Sequence, residues 1–328
     1  MKRTLLLICT LLCAIVLFAQ EQLAVLKHND STRVFYGQTA FEQAYSAATH
    51  GDIITLSDGV FTAPSQINKG ITVRGNGAVA DTARRSSGTY FMESFYVYQL
   101  GDSLQFSAEG IYFDYFSASN SLGIKLVKCF INRIGVVQDA QITNCIIIEG
   151  QINPLEESNN TFTNCIIKNA YKPYSSSNTN RYLPTYSICT NCILIGREYG
   201  GSSHLGTYNN CIIIYTNQTR LDGVAHNSVL IGFTGCDNPA SSGNVAMSLS
   251  DVFENWDGES LSTDLETYVL KSSVSDSIQG LDGTEVGIFG GFMPFEWRPS
   301  YSIIKRFNVA NRTTADGKLS VDIEVISE

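Results

Sequence analysis

The stretch QITNCIIIEG, residues 141–150, decides how the chain is read, because its centre recurs. TNCIIK returns at 163–168, TNCILI at 190–195 and NNCIII at 209–214, with looser copies VKCFIN at 127–132 and HNSVLI at 226–231. The third position of the motif falls at Cys129, Cys145, Cys165, Cys192, Cys211 and Ser228, in steps of 16, 20, 27, 19 and 17 residues. Upstream, Gly110 in EGIYF lies 19 residues before Cys129, and Gly70 in KGITV lies 40 before Gly110. A recurrence near 20 residues built from short β-rich units signals a solenoid. Leucine-rich repeats share the period but need a leucine lattice that is missing, and helical repeats are longer. β-branched residues flanked by Asn favour strands and tight turns. The expected fold is all-β, a right-handed parallel β-helix solenoid with an N-terminal helical cap and a C-terminal β-hairpin.

In such a coil each turn adds one strand to each parallel sheet, so equivalent residues stack at roughly 4.8 Å. Asn144, Asn164, Asn191, Asn210 and Asn227 then form a ladder at one corner, where Asn tolerates left-handed backbone and its amide can bond the amide above. The next residue in each turn, Cys145, Cys165, Cys192 or Cys211, points inward as a small apolar filler. If Cys145 and Ile147 face in, Ile146 and Ile148 face out, and the same alternation holds at 193–195, 212–214 and 229–231. An outward apolar stripe of that length needs a cover, from the same chain or from a second copy.

The cysteines exclude more than they suggest. Nine are present, of which Cys9 and Cys13 fall in an apolar leader, leaving seven. An odd number in an exported chain does not form a disulfide framework, and stacked parallel Cβ vectors are poor disulfide geometry. Only Cys189 and Cys192 make a C-x-x-C, and Cys192 is already in the repeat register, so neither a zinc nor a redox site is expected. Residues 1–19, MKRTLLLICTLLCAIVLFA, read as a secretory signal with Lys2 and Arg3 ahead of an apolar run too short to span a membrane. The chain of 328 residues carries a formal charge of −9, or −11 without Lys2 and Arg3, which disfavours a nucleic-acid partner. Localisation is therefore expected to be periplasmic, cell-surface or secreted.

The ends of the solenoid need closing. In residues 39–61, Phe41, Ala44, Tyr45 and Ala48 share one helix face, Gly51 ends the helix, and Ile53 to Leu56 begin a strand. GLDGTEVGIFGG at 280–291 reads as a closing coil, MPFEWRPS at 293–300 as a linker, and the alternation around Asp316-Gly317 as a hairpin that packs on the solenoid. The expected divisions are a signal at 1–19, a capping segment at 20–50, the solenoid at 51–291, and a linker with hairpin at 292–328.

These residues together resemble the parallel β-helix proteins of the pectin-lyase-like superfamily, and more narrowly the exported β-helix proteins of Bacteroidetes. The resemblance runs over about residues 37–325 and rests on the cap with ITLSDGVF, on KGITVRGNG, on the Asn-Cys repeats and on LDGTEVGIFGG. It implies a fold, and an outer groove as the place where lyases and hydrolases of the superfamily act. Their signatures are missing here. Asn-Thr-Asp and Asp-Asp pairs do not occur, SSHLG around His204 is not Gly-His-Gly, and RYLPTY at 181–186 departs from Arg-x-Pro-x-x-Arg. Hydrolysis therefore lacks its two carboxylates.

What remains is position. The 27-residue step inserts NAYKPYSSSNTNRYLPTYS at 169–187, and the next turn contributes GREYGGSSHLGTY at 196–208. Tyr171, Lys172, Tyr174, Arg181, Tyr182, Arg197, Tyr199 and His204 combine aromatic faces with cationic heads, which suits a polysaccharide or cell-surface glycan, an acidic one above all. A non-standard lyase is the alternative, with Lys172, Arg181 or His204 as base and Tyr199 as acid. No cofactor is expected. Calcium would have to use Asp282, Glu285 and Asp316, which read as solvated turns because no dense Asp/Asn loop surrounds them. RGNG at 74–77 lacks the lysine of a phosphate loop, and Trp256 and Trp297 read as packing anchors.

Overall fold

The computed structural model describes residues 22–82, 86–101, 103–150, 159–169, 187–196, 206–221, 223–256, 262–298, 303–309 and 321–326. The chain winds into a parallel β-solenoid with two long sheets, one of 11 strands and one of 10. Successive coils are in register: Gln141 pairs with Thr161, Thr161 with Ile188 and Ile188 with Thr207 in the first sheet, while Ile146 pairs with Ile166, Ile166 with Ile193 and Ile193 with Ile212 in the second. The Asn-Cys motif is the corner between them. The first-sheet strand ends at Thr143, Asn144 takes φ +53°, and the second-sheet strand starts at Ile146. Asn164, Asn191, Asn210 and Asn227 repeat the left-handed turn at φ +48°, +53°, +55° and +46°.

The same corner is made by Lys128 at φ +52° and by Gly110 at φ +65°. Gly110 thus occupies the position of Asn144, one residue earlier than its placement opposite Cys129 in the repeat count. Gly70 is not a corner at all. Arg74 pairs with Glu109, so Gly75 takes the corner position in that coil.

The inward side of the alternation forms the main core, with Cys145, Ile147, Cys165, Ile167, Cys192, Leu194, Cys211 and Ile213 all buried. At the N-terminal end the core is aromatic. Phe91, Phe95, Phe106, Phe113 and Phe116 are fully buried, and α1 (Ala40–Ala47) lays Phe41 against Phe91 and Phe95 at 5.0 and 5.9 Å. Ahead of α1, β1 (Leu23–His28) and β2 (Ser31–Tyr36) form an antiparallel ribbon that extends the first sheet by pairing β1 with Ile53–Leu56. The sequence reading missed this ribbon.

The last paired strand of the solenoid is Val245–Met247, so the coil stops there rather than at 291. Residues 249–256 and 262–298 instead form a strap along the outside of the second sheet. It covers the outward row Ile146, Ile166, Ile193, Ile212 and Val229 with Val252, Phe253, Trp256, Tyr268, Val274, Val286, Ile288 and Phe295, and the whole set is buried. The stripe is therefore covered from within the chain, and this corrects its expected use as an oligomer surface. Strands Ile303–Val309 and Val321–Ile326 pair antiparallel in a two-stranded sheet of their own.

The glycines of 280–291 gain a different reason. Gly287 has φ +81°, and a Cβ there would sit 2.8 Å from the Ile212 side chain. They let the strap backbone lie directly on the sheet, not close a coil. MPFEWRPS is likewise no free linker: Phe295 is buried and Trp297 stacks on Phe130 at 6.2 Å.

Candidate functional site

Three surfaces of the solenoid could meet a partner, and the residues at each decide which remain open. The first is the Asn corner. Its side chains face the strap: Asn227 Nδ2 donates to Gln279 O at 2.9 Å, Asn164 Nδ2 to both Ile288 O and Gly290 O at 2.8 Å, and Asn144 Nδ2 to Pro294 O at 3.3 Å. Asn210 Oδ1 accepts from Leu281 N at 2.7 Å, Asn191 Nδ2 donates to Glu285 O at 3.4 Å, and Lys128 Nζ donates to Arg298 O. The strap thus runs back along the ladder, against the direction of stacking. Amide-to-amide bonding, expected along the whole ladder, is seen where Asn210 donates to Asn191 at 3.4 Å. The corner is occupied by the protein's own backbone.

Beneath the ladder, the cysteines do more than fill space. Each corner leaves an inward N–H outside the sheet ladder, and the thiol of the next coil accepts it: Cys129 N donates to Cys145 Sγ at 3.3 Å, and Cys165 N to Cys192 Sγ at 3.4 Å. The thiols in turn donate to carbonyls two residues back, at 3.3 Å for Cys145 and Cys192. Ser228 performs the same exchange, accepting from Cys211 N at 3.0 Å. Burial pushes the Cys145, Cys165 and Cys189 thiols well above the ordinary range, so they remain protonated. A protonated, buried thiol is neither a metal ligand nor a nucleophile. Cys189 and Cys192 are both free and buried. Among the described residues no group of three His, Cys, Asp or Glu could hold a metal ion. Asp282 Oδ1 accepts from Thr284 N and Oγ1, Glu285 is held above the usual carboxylate range by burial, and Asp316 lies outside the described residues.

The second surface is the edge where coils return from the second sheet to the first. The chain leaves the second sheet at Gly150, Asn169 and Gly196 and re-enters the first at Thr161, Ile188 and Thr207. Asn169 pairs with Gly196, so the two inserted segments start from adjacent positions. Tyr171, Lys172, Tyr174, Arg181, Tyr182, Arg197, Tyr199 and His204 themselves lie outside the described residues.

The third surface is the part of the second sheet that the strap does not reach. The outward row holding Ile146 and Ile166 is continued toward the N-terminus by Phe130, Tyr112 and Tyr90, paired in register. Their ring centroids are 5.3 Å apart for Tyr112–Phe130 and 5.4 Å for Tyr90–Tyr112. Beside them Tyr96 and Tyr115 form a second pair at 5.6 Å. Between the rows, Asp114 accepts from Arg133 Nη2 and from Asn132 Nδ2, both at 2.8 Å. Those bonds hold the Asp114 carboxyl below its ordinary range against the opposing effect of burial, and burial followed by the Asp114 charge raises Tyr112. At pH 7 the face therefore presents an ion pair beside the protonated Tyr112 phenol. Arg133 also stands 5.6 Å over the Tyr115 ring, and it pairs with Glu149, one residue before the chain leaves the sheet. The open face and the loop edge are thus contiguous.

Sequence reasoning passed over this third surface, although a signal was present. Tyr90, Tyr112 and Phe130 stand where the Asn-Cys repeats carry isoleucine, in a row that the outward alternation already predicts. A shallow groove of about 640 Å³ beside the strap, lined by Ser248, Asp251, Lys271 and Ser273, is less promising: Lys271 Nζ is taken up by Ser250 O at 2.5 Å. Among the described residues no helix is long and apolar enough to cross a membrane. No protein-family signature, curated protein or solved structure matches the chain.

Proposed function

We propose that this chain is exported and acts as a non-catalytic, glycan-binding solenoid of the pectin-lyase-like kind, akin to the exported β-helix proteins of Bacteroidetes. One observation supports the reading above the others: segments 170–186 and 197–205 start from paired positions, Asn169 and Gly196, on neighbouring strands of a rigid sheet. Two segments rich in Tyr, Lys, Arg and His that share a root can enclose one ligand, because the paired strands hold both roots in fixed positions. Aromatic faces and charge-assisted hydrogen bonds are the usual means of holding a sugar.

The test uses the mature chain from Gln20 with a panel of polysaccharides, scored by retardation in affinity gels and by ultraviolet absorbance of unsaturated products. Retardation without products is the expected result, weakened by Lys172→Ala and Arg181→Ala. Unsaturated products lost in those variants would replace binding by a lyase with its base in the inserted loop. Retardation by no polysaccharide would overturn the glycan reading.

A further inference from the structure

The outer face of the second sheet changes character along its length. Its C-terminal part is isoleucine and is sealed by the strap, which lays Trp297 on Phe130. Its N-terminal part is left open and carries tyrosines: Tyr96 is 42% exposed, and Tyr90, Tyr112 and Tyr115 are half-buried. We propose that this open part binds a neutral polysaccharide chain lying along the solenoid axis, with the paired tyrosines beneath its sugar rings and the Asp114–Arg133 pair bonded to its hydroxyls. The proposal rests on the glycan reading above, extends its site from the loop edge onto the adjoining sheet face, and adds the class of sugar.

Ring geometry is the first support. Tyr112 and Phe130 are nearly parallel, at 18°, and close on one another, whereas Tyr90–Tyr112 and Tyr96–Tyr115 are tilted by 50° and 57°. Tilted rings cannot hide both faces against each other; Arg133 stands over Tyr115, so the stacking area lies on Tyr90, Tyr112 and Tyr96. The centroid spacing of 5.4 to 5.6 Å follows from the strand spacing and is about the rise of one sugar in an extended chain. A rigid sheet therefore repeats the platform at the period of the ligand, at little ordering cost.

Charge is the second. Asp114 and Arg133 neutralise each other at 2.8 Å, yet their side chains stay 26% and 52% exposed, so the pair itself borders solvent. A carboxylate accepts from one hydroxyl while the guanidinium beside it donates to the next, which matches a vicinal diol. The pair offers no net positive charge to a polyuronate. Glu93, exposed on the strand that carries Tyr90 and Tyr96, opposes one.

Affinity gels and titration calorimetry on the mature chain, with neutral glucans, xylans and mannans against polyuronates, test this. A neutral polymer is expected to bind, with an affinity unchanged by high salt and about tenfold weaker in Tyr90→Ala or Tyr96→Ala, the loss of one stacked ring. Arg133→Gln should weaken binding further while leaving the thermal unfolding midpoint near that of the parent. Neutral binding that these three variants leave intact overturns the proposal. So does salt-sensitive binding of polyuronates alone, lost in Lys172→Ala or Arg181→Ala, although the glycan reading then stands. Binding of no polysaccharide overturns both.

Discussion

A single thiol shows how much one residue decides in a solenoid. Cys192 fills the inner corner of its coil, accepts the Cys165 N–H and donates to Thr190 O at 3.3 Å. Serine can make both bonds, as Ser228 does at the same position, and alanine can make neither. Cys192→Ala should therefore destabilise by about 1–3 kcal/mol more than Cys192→Ser, since it strands a buried N–H; urea unfolding of the two variants checks the order. Burial also protects the thiols. In the native protein a thiol reagent should label Cys236, the half-buried one, ahead of the six buried cysteines among the described residues, which react only on unfolding. Asp52 is a residue of another kind. Buried, it accepts from Thr49 N at 2.7 Å and lies 2.8 Å from His28 Nδ1. Burial opposes its charge, but those partners prevail and its folded pKa is lowered. A lowered carboxylate pKa contributes stability that is complete above the unfolded value, near 3.9, and is lost as pH falls through the folded one. The stability difference between the parent and Asp52→Asn should accordingly shrink as pH drops from about 5 toward 2.

At the scale of the element, the strap and the Asn ladder explain each other. Asparagine at the corner satisfies two demands together, a left-handed backbone and an outward donor for the strap. Substitutions separate them. Asn164→Gly keeps the φ of +48° without strain but removes the bonds to Ile288 O and Gly290 O, whereas Asn164→Ala removes the same bonds and keeps a Cβ in the left-handed region without the polar group that makes it tolerable there. That region costs a non-glycine residue about 1–2 kcal/mol, so alanine should be the less stable of the two. Both should speed hydrogen exchange at 285–291, where the strap depends on the ladder. Gly287→Ala should act from the other side, pushing the strap backbone off Ile212.

For the whole molecule, the strap is what allows a solenoid with an apolar outer row to exist as a separate particle. Ile146, Ile166, Ile193 and Ile212 are each fully buried beneath it, and burying one such side chain stabilises by about 1.5–3 kcal/mol. A chain ending at Met247 would expose the row. It should self-associate or precipitate, while the full mature chain shows no concentration-dependent association through that face; light scattering after size-exclusion chromatography distinguishes the two. The open tyrosine face begins beyond Phe130, against which the strap lays Trp297.

The period of the solenoid, the left-handed corners at Asn and the in–out alternation of every repeat were written in the sequence alone. They are local: a 20-residue recurrence, a residue that tolerates positive φ, and a two-residue side-chain period each act within one coil. α1 and the strand after it were legible for the same reason, since an apolar helix face followed by Gly51 is a local signal. Only the tertiary structure decided what lies over the outer row. GLDGTEVGIFGG looked like one more coil because its glycines permit a turn, yet they serve a backbone lying on the sheet, pairing residues such as Asn164 and Gly290 that stand 126 apart. The open tyrosine face was hidden similarly. Its residues come from separate coils, and their being left bare depends on which rows a strap from the far end of the chain covers, which no local pattern encodes.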